Sequence, residues 1–124
     1  MSGFDTKFSG TKDGYATGAT RDKAEGKGRY DLITPHMVRR LAGVYERGAK
    51  NHGDRNWEKG VPFSRLYSSA LRHIFQALEG KTDEDHICQC IWNLAAIVHF
   101  QETGRIDLND LPTTNSSTLP STTL

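Results

Sequence analysis

The sequence carries almost no net charge, few cysteines and no long apolar run. Its 124 residues have a formal net charge of +1, so we expect neither duplex nucleic acid nor an anionic membrane as a partner. The longest apolar run, from Leu94 to Val98, is far too short to span a bilayer. No charged-then-apolar segment opens the chain, so we expect no secretory signal.

The two cysteines, Cys88 and Cys90, are two residues apart within a helical pattern. This spacing points their side chains away from each other, which argues against a disulfide and against paired zinc ligation. We therefore expect buried thiols in a reducing cytosol.

The part of the chain that can form a core is small. Six of the twelve glycines lie in residues 1–28, and this composition predicts a flexible N-terminal arm. Residues 110–124 are predicted to form a disordered tail, which leaves residues 29–109, about 80 residues, as the folded domain. A lone core of that size is marginal, so we expect a homo-oligomer.

Three segments with helical periodicity predict an all-α fold, a small bundle of three main helices. The first helix begins with Thr34 as N-cap and Pro35 at the first helical position, and it ends at residues 51–53. The second is predicted to begin at the N-cap Ser64 and to stop at Gly80. The third follows a sequence that resembles a capping box, Thr82-Asp83-Glu84-Asp85.

The apolar positions of each helix predict the face that it buries. In the first helix they are Val38, Leu41, Ala42, Tyr45 and Ala49. In the second helix they are Tyr67, Ala70, Leu71, Ile74, Phe75 and Leu78. In the third helix they are Ile87, Cys90, Ile91, Leu94, Ile97 and Val98, a stripe so wide that we expect a second subunit to cover part of it.

The loop from Gly53 to Gly60 is dense in side chains that bind ligands. Trp57 offers a flat apolar face, and Arg55 and Lys59 offer donors suited to phosphate, with Asn56 between them. In the structural alternative, Trp57 covers the core while Asp54 and Arg55 pair. Both interpretations stay open on the sequence.

Polar residues also interrupt the second and third helices. Arg72 and His73 lie beside the apolar stripe of the second helix, and His86 and Asn93 share one face of the third. Buried polar side chains need partners, and either a ligand or a structural hydrogen bond meets that need. The sequence therefore predicts a ligand site from eight residues: Arg55, Asn56, Trp57, Lys59, Arg72, His73, His86 and Asn93.

Six short motifs span residues 28–102: GRYDLI at 28–33, VYERGAK at 44–50, GDRNWEKG at 53–60, LRH at 71–73, EDH at 84–86 and WN at 92–93. As a set they resemble the phage-encoded family called dATP/dGTP diphosphohydrolase, N-terminal. The resemblance implies a phage protein that acts on purine nucleotides in the cytoplasm of the infected bacterial host.

Two functional hypotheses follow. All-helical nucleoside triphosphate pyrophosphohydrolases hold magnesium with Glu-x-x-Glu and a later Glu-x-x-Asp, and this sequence contains no Glu-x-x-Glu. The favoured hypothesis is therefore a protein that sequesters a purine or cyclic nucleotide, such as a signal of bacterial defence, without cleaving it and without a cofactor. The alternative is a dATP/dGTP diphosphohydrolase that releases dNMP and pyrophosphate. It would use a divalent metal such as magnesium, held by Glu79, Asp83, Glu84 and Asp85. A helical protein without a ligand is a third interpretation.

Overall fold

Three α-helices and one small sheet make up the regular structure of the computed structural model, which describes residues 10–112. The predicted tail beyond residue 112 lies outside the described residues. The chain divides into two compact units, with the boundary between residues 33 and 34. The first contains strands β1 (Lys12–Gly14) and β2 (Thr20–Asp22), and the second contains helices α1 (Pro35–His52), α2 (Phe63–Leu78) and α3 (His86–Glu102). The predicted all-α class with three main helices is confirmed.

β1 and β2 form an antiparallel hairpin that the composition of this segment does not predict. Lys12 pairs with Asp22 at one end of the hairpin. The carboxylate of Asp13 accepts a hydrogen bond of 3.0 Å from the backbone N–H of Ala24, which ties the residues after β2 back to β1. The flexibility of residues 1–28 stays a prediction.

α1 begins and ends as its sequence predicts. Thr34 is the N-cap in an extended conformation, Pro35 occupies the first helical position, and Gly53 is the C-cap with a φ of 97°. The predicted buried face is less accurate, because Val44 is the buried residue of α1 and Val38 is half exposed. Of the other predicted positions, Leu41, Tyr45 and Ala49 are partly buried and Ala42 is exposed.

α2 begins at Phe63, with Pro62 as its N-cap, so the prediction of Ser64 as N-cap is wrong. Ser64 lies inside the first turn, and both its backbone N–H and its hydroxyl donate hydrogen bonds to the carboxylate of Asp110. A residue 46 positions away in sequence therefore supplies the acceptor that a capping side chain would provide. This contact also holds Asp110 against α2, although the sequence analysis assigned Asp110 to the disordered tail.

α3 begins at His86, four residues after the predicted start at Thr82. Asp85 is the N-cap, and its carboxylate accepts a hydrogen bond of 3.1 Å from the backbone N–H of Cys88. The capping-box prediction is wrong because Asp85, expected at the third helical position after the N-cap Thr82, is itself the N-cap.

The hydrophobic core lies between α2 and α3. Five buried side chains form it, Phe63, Leu66, Ala96, Ile97 and Phe100, and four partly buried ones pack against it, Trp57, Val61, Trp92 and Leu108. Both cysteines are free and buried, as predicted. Within residues 10–112, no helix is both long enough and apolar enough to cross a membrane.

The predicted buried stripes of α2 and α3 are wrong in eight of their twelve members, which are exposed. On α2, Ala70 is buried, but Leu71, Phe75 and Leu78 are exposed, Leu78 to 76%. On α3, the buried positions include Cys90 and Ile97, whereas Ile87, Leu94 and Val98 are exposed. The apolar arc of each helix is wider than the face that contacts the rest of the chain, so only part of each arc is covered.

Candidate functional site

A cavity of about 1020 Å³ opens in the helical unit, between α1 and the segment that leads into α3. Its walls come from the second half of α1, the loop at residues 53–58, residues 82–84, and the α3 side chains Gln89 and Trp92. Ligand pockets typically measure about 300–1,000 Å³, so this cavity has room for a nucleotide.

Aromatic rings form one wall of the cavity. The ring centroid of Trp57 lies 6.3 Å from that of Tyr45 and 5.7 Å from that of Trp92, in edge-to-face arrangements. Trp57 also lies 5.7 Å from Phe100, a core residue. Trp57 thus covers the core, as the structural interpretation of the loop predicts, and it lines the cavity as well.

Two unusual backbone positions shape the loop that carries Trp57. Arg55 has a φ of 57°, and within residues 10–112 it is the one residue other than glycine with a positive φ. Such a conformation costs a bulky residue roughly 1–2 kcal/mol. Gly60 has a φ of 130°, and a Cβ there would lie 3.0 Å from Nη2 of Arg105 and 3.3 Å from Leu108. Glycine is required at position 60 for both reasons.

Arg55 holds its guanidinium over the loop in an exposed ion pair. Its Nη1 lies 3.2 Å from Oε1 of Glu58, and the Arg55 side chain is 80% exposed. The structural alternative in the sequence analysis paired Arg55 with Asp54. In the structure the partner of Arg55 is Glu58. Glu58 also lies near Tyr45, where burial first and the Glu58 charge second raise the pKa of the Tyr45 hydroxyl.

Carboxylates line the wall opposite α1, at the residues before α3. Asp83 accepts a hydrogen bond of 2.8 Å from Nε2 of His86, which lowers the pKa of Asp83. Glu84 accepts a hydrogen bond of 3.1 Å from the side-chain amide of Gln89. Both carboxylates line the cavity, together with Asp54 and Glu58 from the loop. The cavity therefore combines aromatic and acidic surfaces.

A buried histidine pair lies directly behind these acids. Nδ1 of His73 is 2.8 Å from Nδ1 of His86. Burial lowers the pKa of His73, and the nearby Arg72 charge lowers it further, so His73 is neutral at pH 7. If His86 donates its Nε2–H to Asp83, its Nδ1 accepts the Nδ1–H of His73. The pair thus fixes the ring of His86 against Asp83.

Ligand atoms of Asp83, Glu84 and His86 lie within 4.8 Å of one another, a spacing suited to a divalent cation. Two carboxylates and an imidazole suit Mn²⁺ at least as well as Mg²⁺, which prefers oxygen ligands alone. His86 ligation through Nε2 would require the other tautomer, with Nδ1–H donating to His73. The residues therefore fit a cation after both histidines change tautomer, because Nδ1 of His73 must then accept the Nδ1–H of His86.

The other two acids of the metal hypothesis lie outside the cavity. Asp85 forms a two-pronged ion pair with Arg40, at 2.6 Å and 2.9 Å, in addition to capping α3. Glu79 lies 4.0 Å from Lys81 in an exposed pair. Of the four acids, Asp83 and Glu84 thus line the cavity and Asp85 and Glu79 do not.

The structure brings three of the eight sequence-predicted site residues to the cavity: Arg55, Asn56 and Trp57. His73, His86 and Asn93 are buried between α2 and α3. The Asn93 side-chain NH2 group donates to the Gln89 carbonyl and to the Ser69 hydroxyl, which gives both of its N–H donors a partner within the chain. Lys59 and Arg72 are exposed and do not line the cavity. Ligand binding by the eight residues stays a prediction.

Sequence reasoning missed the contribution of α1. Tyr45, Ala49 and His52 line the cavity at helical spacings of four and three residues, so they share one face of α1. Trp92 and Gln89, three residues apart on α3, face them. The signal was present in the sequence, because a polar His52 continues a stripe that begins with apolar residues.

Comparison with known proteins identifies a family. The family model described as dATP/dGTP diphosphohydrolase, N-terminal, matches residues 17–109 of the 124-residue chain. The chain therefore belongs to this family, as its motifs predicted. A search of curated proteins and a search of solved structures find no match.

Proposed function

We propose that this member of the dATP/dGTP diphosphohydrolase, N-terminal, family binds a purine deoxynucleoside triphosphate with a divalent cation in the α1–α3 cavity and hydrolyses it to dNMP and pyrophosphate. One observation carries the proposal: a single cavity is lined by both indole rings and by the carboxylates of Asp83 and Glu84. Flat aromatic surfaces bind bases, and carboxylates hold the cation that a triphosphate requires.

The base would lie against the aromatic wall. Trp57 and Trp92 are partly buried, so stacking would add contact area without exposing the core beneath them. The side-chain amides of Asn51, Asn56 and Gln89 also line the cavity, and each offers both a donor and an acceptor to a base edge. This combination accounts for recognition of a purine base.

The triphosphate would lie between the acids and the cations of the cavity. Arg47, His52 and Arg55 line the side formed by α1 and its loop, and they offer donors to phosphate oxygens. Asp83 and Glu84 would hold the cation, with His86 as a third ligand. A bound divalent cation neutralises phosphate charge and polarises the phosphoryl group. The chain itself would orient the nucleotide and exclude water around the base.

A second candidate function is sequestration of a purine or cyclic nucleotide without cleavage, as the sequence favours. The observation in its favour is the small number of acids at the cavity that lack a fixed partner. Asp83 is hydrogen-bonded to His86, Glu58 is paired with Arg55, and Glu84 accepts a hydrogen bond from Gln89. Fewer available carboxylates mean weaker cation binding. Under this candidate, the cavity still binds the nucleotide but releases it intact.

The deciding experiment incubates the purified protein with dATP, dGTP, dCTP or a cyclic dinucleotide, with Mg²⁺, with Mn²⁺ or with a chelator. Heat denaturation followed by chromatography separates intact nucleotide from dNMP and pyrophosphate. We expect metal-dependent dNMP formation from dATP and dGTP. Intact nucleotide bound by the protein and released on heating, in every metal condition, would replace hydrolysis with sequestration.

Charge-matched variants locate the cation. Glu84→Gln should abolish turnover because it removes a carboxylate from the cavity, whereas Glu79→Gln should retain it because Glu79 lies outside. The two variants lose the same charge, so a change in net charge alone cannot separate them. Equal activity of Glu84→Gln and wild type would contradict the assignment.

A further inference from the structure

Two adjacent helices carry an apolar surface that the other described residues of the helical unit leave exposed. On α2, Tyr67, Leu71, Ile74 and Leu78 are exposed, with Phe75 beside them at 61%. On α3, Ile87, Leu94 and Val98 are exposed, and Ile91 is partly buried between them. Both rows follow steps of four, three and four residues, the spacing with which helices pack along a shared seam. We call these two rows the α2–α3 face.

Both rows point to the same side of the helix pair. His73 contacts His86 and Ser69 contacts Asn93, so α2 and α3 are antiparallel. In each helix the exposed row lies roughly 100–120° around the axis from the residues that contact the other helix, in the same rotational sense. Equal rotations on antiparallel helices point to one side, so the rows form one continuous surface.

The α2–α3 face lies away from the cavity. Trp92 lines the cavity and Leu94 belongs to the face, and two residues along a helix correspond to a rotation of about 200°. A partner that covers the face would therefore leave the nucleotide cavity open. Occupation of the face is thus independent of the function proposed for the cavity.

We propose that the α2–α3 face is the interface with a second copy of this chain, related by a two-fold axis that completes a four-helix layer. The exposed side chains present on the order of 700 Å² of apolar area, more than the usual largest patch of a monomer and close to the roughly 800 Å² that each partner contributes to a standard interface. A two-fold axis pairs the same surface with itself, so one apolar face is sufficient.

The shape of the face favours a second copy over a peptide. A single amphipathic helix would cover one groove between the two rows and leave part of each exposed. A second pair of helices covers both rows at once. The monomer also has little core of its own, because five side chains form the buried cluster between α2 and α3. Burial of a second apolar layer would supply the stability that a small core lacks.

Light scattering and sedimentation of the full chain test the proposal. We expect twice the monomer mass of 13.8 kDa at micromolar concentration. Leu71→Lys or Leu94→Lys should raise the dimer Kd more than about 100-fold, because symmetry buries two unpaired charges in each dimer. The matched control is Val38→Lys, since Val38 on α1 is 50% exposed and Leu71 is 54% exposed. This control should remain dimeric.

A measurement on the wild type covers the case in which a lysine variant fails to fold. The Tm of a dimer rises with protein concentration, whereas the Tm of a monomer does not. A concentration-independent Tm together with monomer mass would overturn the proposal. If Leu71→Lys and Leu94→Lys both fold and both remain dimeric, the proposal is also overturned. The same holds if Val38→Lys is the only variant that dissociates. Loss of nucleotide turnover has no bearing on these results, so the two proposals fail separately.

Discussion

Removal of the Asp85 side chain tests how the start of α3 is held. Asp85 caps the helix through the Cys88 N–H and binds Arg40 of α1 through two hydrogen bonds, so it joins two helices at one point. Its side chain is 18% exposed, which limits screening by solvent. The substitution Asp85→Ala removes both contacts, whereas Asp85→Asn retains an acceptor for the Cys88 N–H.

The expected loss follows from the two contacts of Asp85. Loss of an N-cap costs about 1 kcal/mol. The ion pair contributes about 1 kcal/mol more, the upper end of the range for exposed ion pairs, because the Arg40 side chain is half exposed. Asp85→Ala should therefore lower the free energy of unfolding by about 2 kcal/mol, and Asp85→Asn by about 1 kcal/mol. Each kcal/mol corresponds to roughly 4–8 °C in Tm for a domain of this size.

The pH dependence provides an independent check on the same residue. The hydrogen bonds from Arg40, as the largest cause, lower the pKa of Asp85 from 3.8 to about 2. A depressed carboxyl pKa stabilises the fold above the unfolded value, and this stabilisation is lost as the pH falls from 3.8 toward 2. The difference between wild type and Asp85→Ala should thus be full at pH 7 and smaller at pH 3.

Urea unfolding at fixed protein concentration measures these differences. Asp107→Ala is the control, because Asp107 forms an exposed pair with Arg105 and caps no helix, so its free energy of unfolding should match the wild type. If Asp85→Ala unfolds within about 0.5 kcal/mol of wild type, as ordinary surface substitutions do, the N-cap and the ion pair do not anchor α3.

Three further predictions concern the site, the histidine pair and the core. Arg55→Ala should weaken nucleotide binding about 10- to 100-fold in titration calorimetry without lowering the Tm, because the side chain is exposed and contacts Glu58 alone among the described residues. Lowering the pH below 6.5 should destabilise the wild type in urea unfolding. Burial lowers the pKa of His73, so the unfolded state binds more protons than the folded state in this range. A free energy of unfolding that does not change between pH 8 and 5.5 would contradict this. Phe100→Ala should cost about 3–5 kcal/mol in the same measurement, because Phe100 is fully buried in the core.

The sequence predicts where the helices lie better than it predicts which residues contact them. Proline and glycine mark the limits of α1 because their conformational preferences act locally, at Pro35 and Gly53. The start of α2 depends on Asp110, a partner 46 residues away from Ser64, and no local pattern contains that contact. The same limit explains the N-terminal hairpin, whose strands of three residues carry too short a pattern to detect.

The sequence also locates the loop of the candidate site better than its other walls. Trp57 and Arg55 are recognisable as candidate ligand residues because they lie in a loop that has no apolar periodicity. His86 and Asn93 were selected as polar residues on an apolar helix, and both have structural partners on α2. Polarity on a buried face shows that a partner exists, and only the fold shows whether that partner is the chain itself or a ligand.

α3 has apolar or weakly polar residues around most of its circumference, and these residues face three directions. His86 and Asn93 face α2, Trp92 faces the cavity and α1, and Leu94 belongs to the face proposed for a second copy. A helix with a single buried face would alternate apolar and charged sectors, yet α3 has no Asp, Glu, Lys or Arg before Glu102. We therefore expect cover on the side that α1 and α2 leave open, and the proposed second copy would supply it without obstructing the cavity.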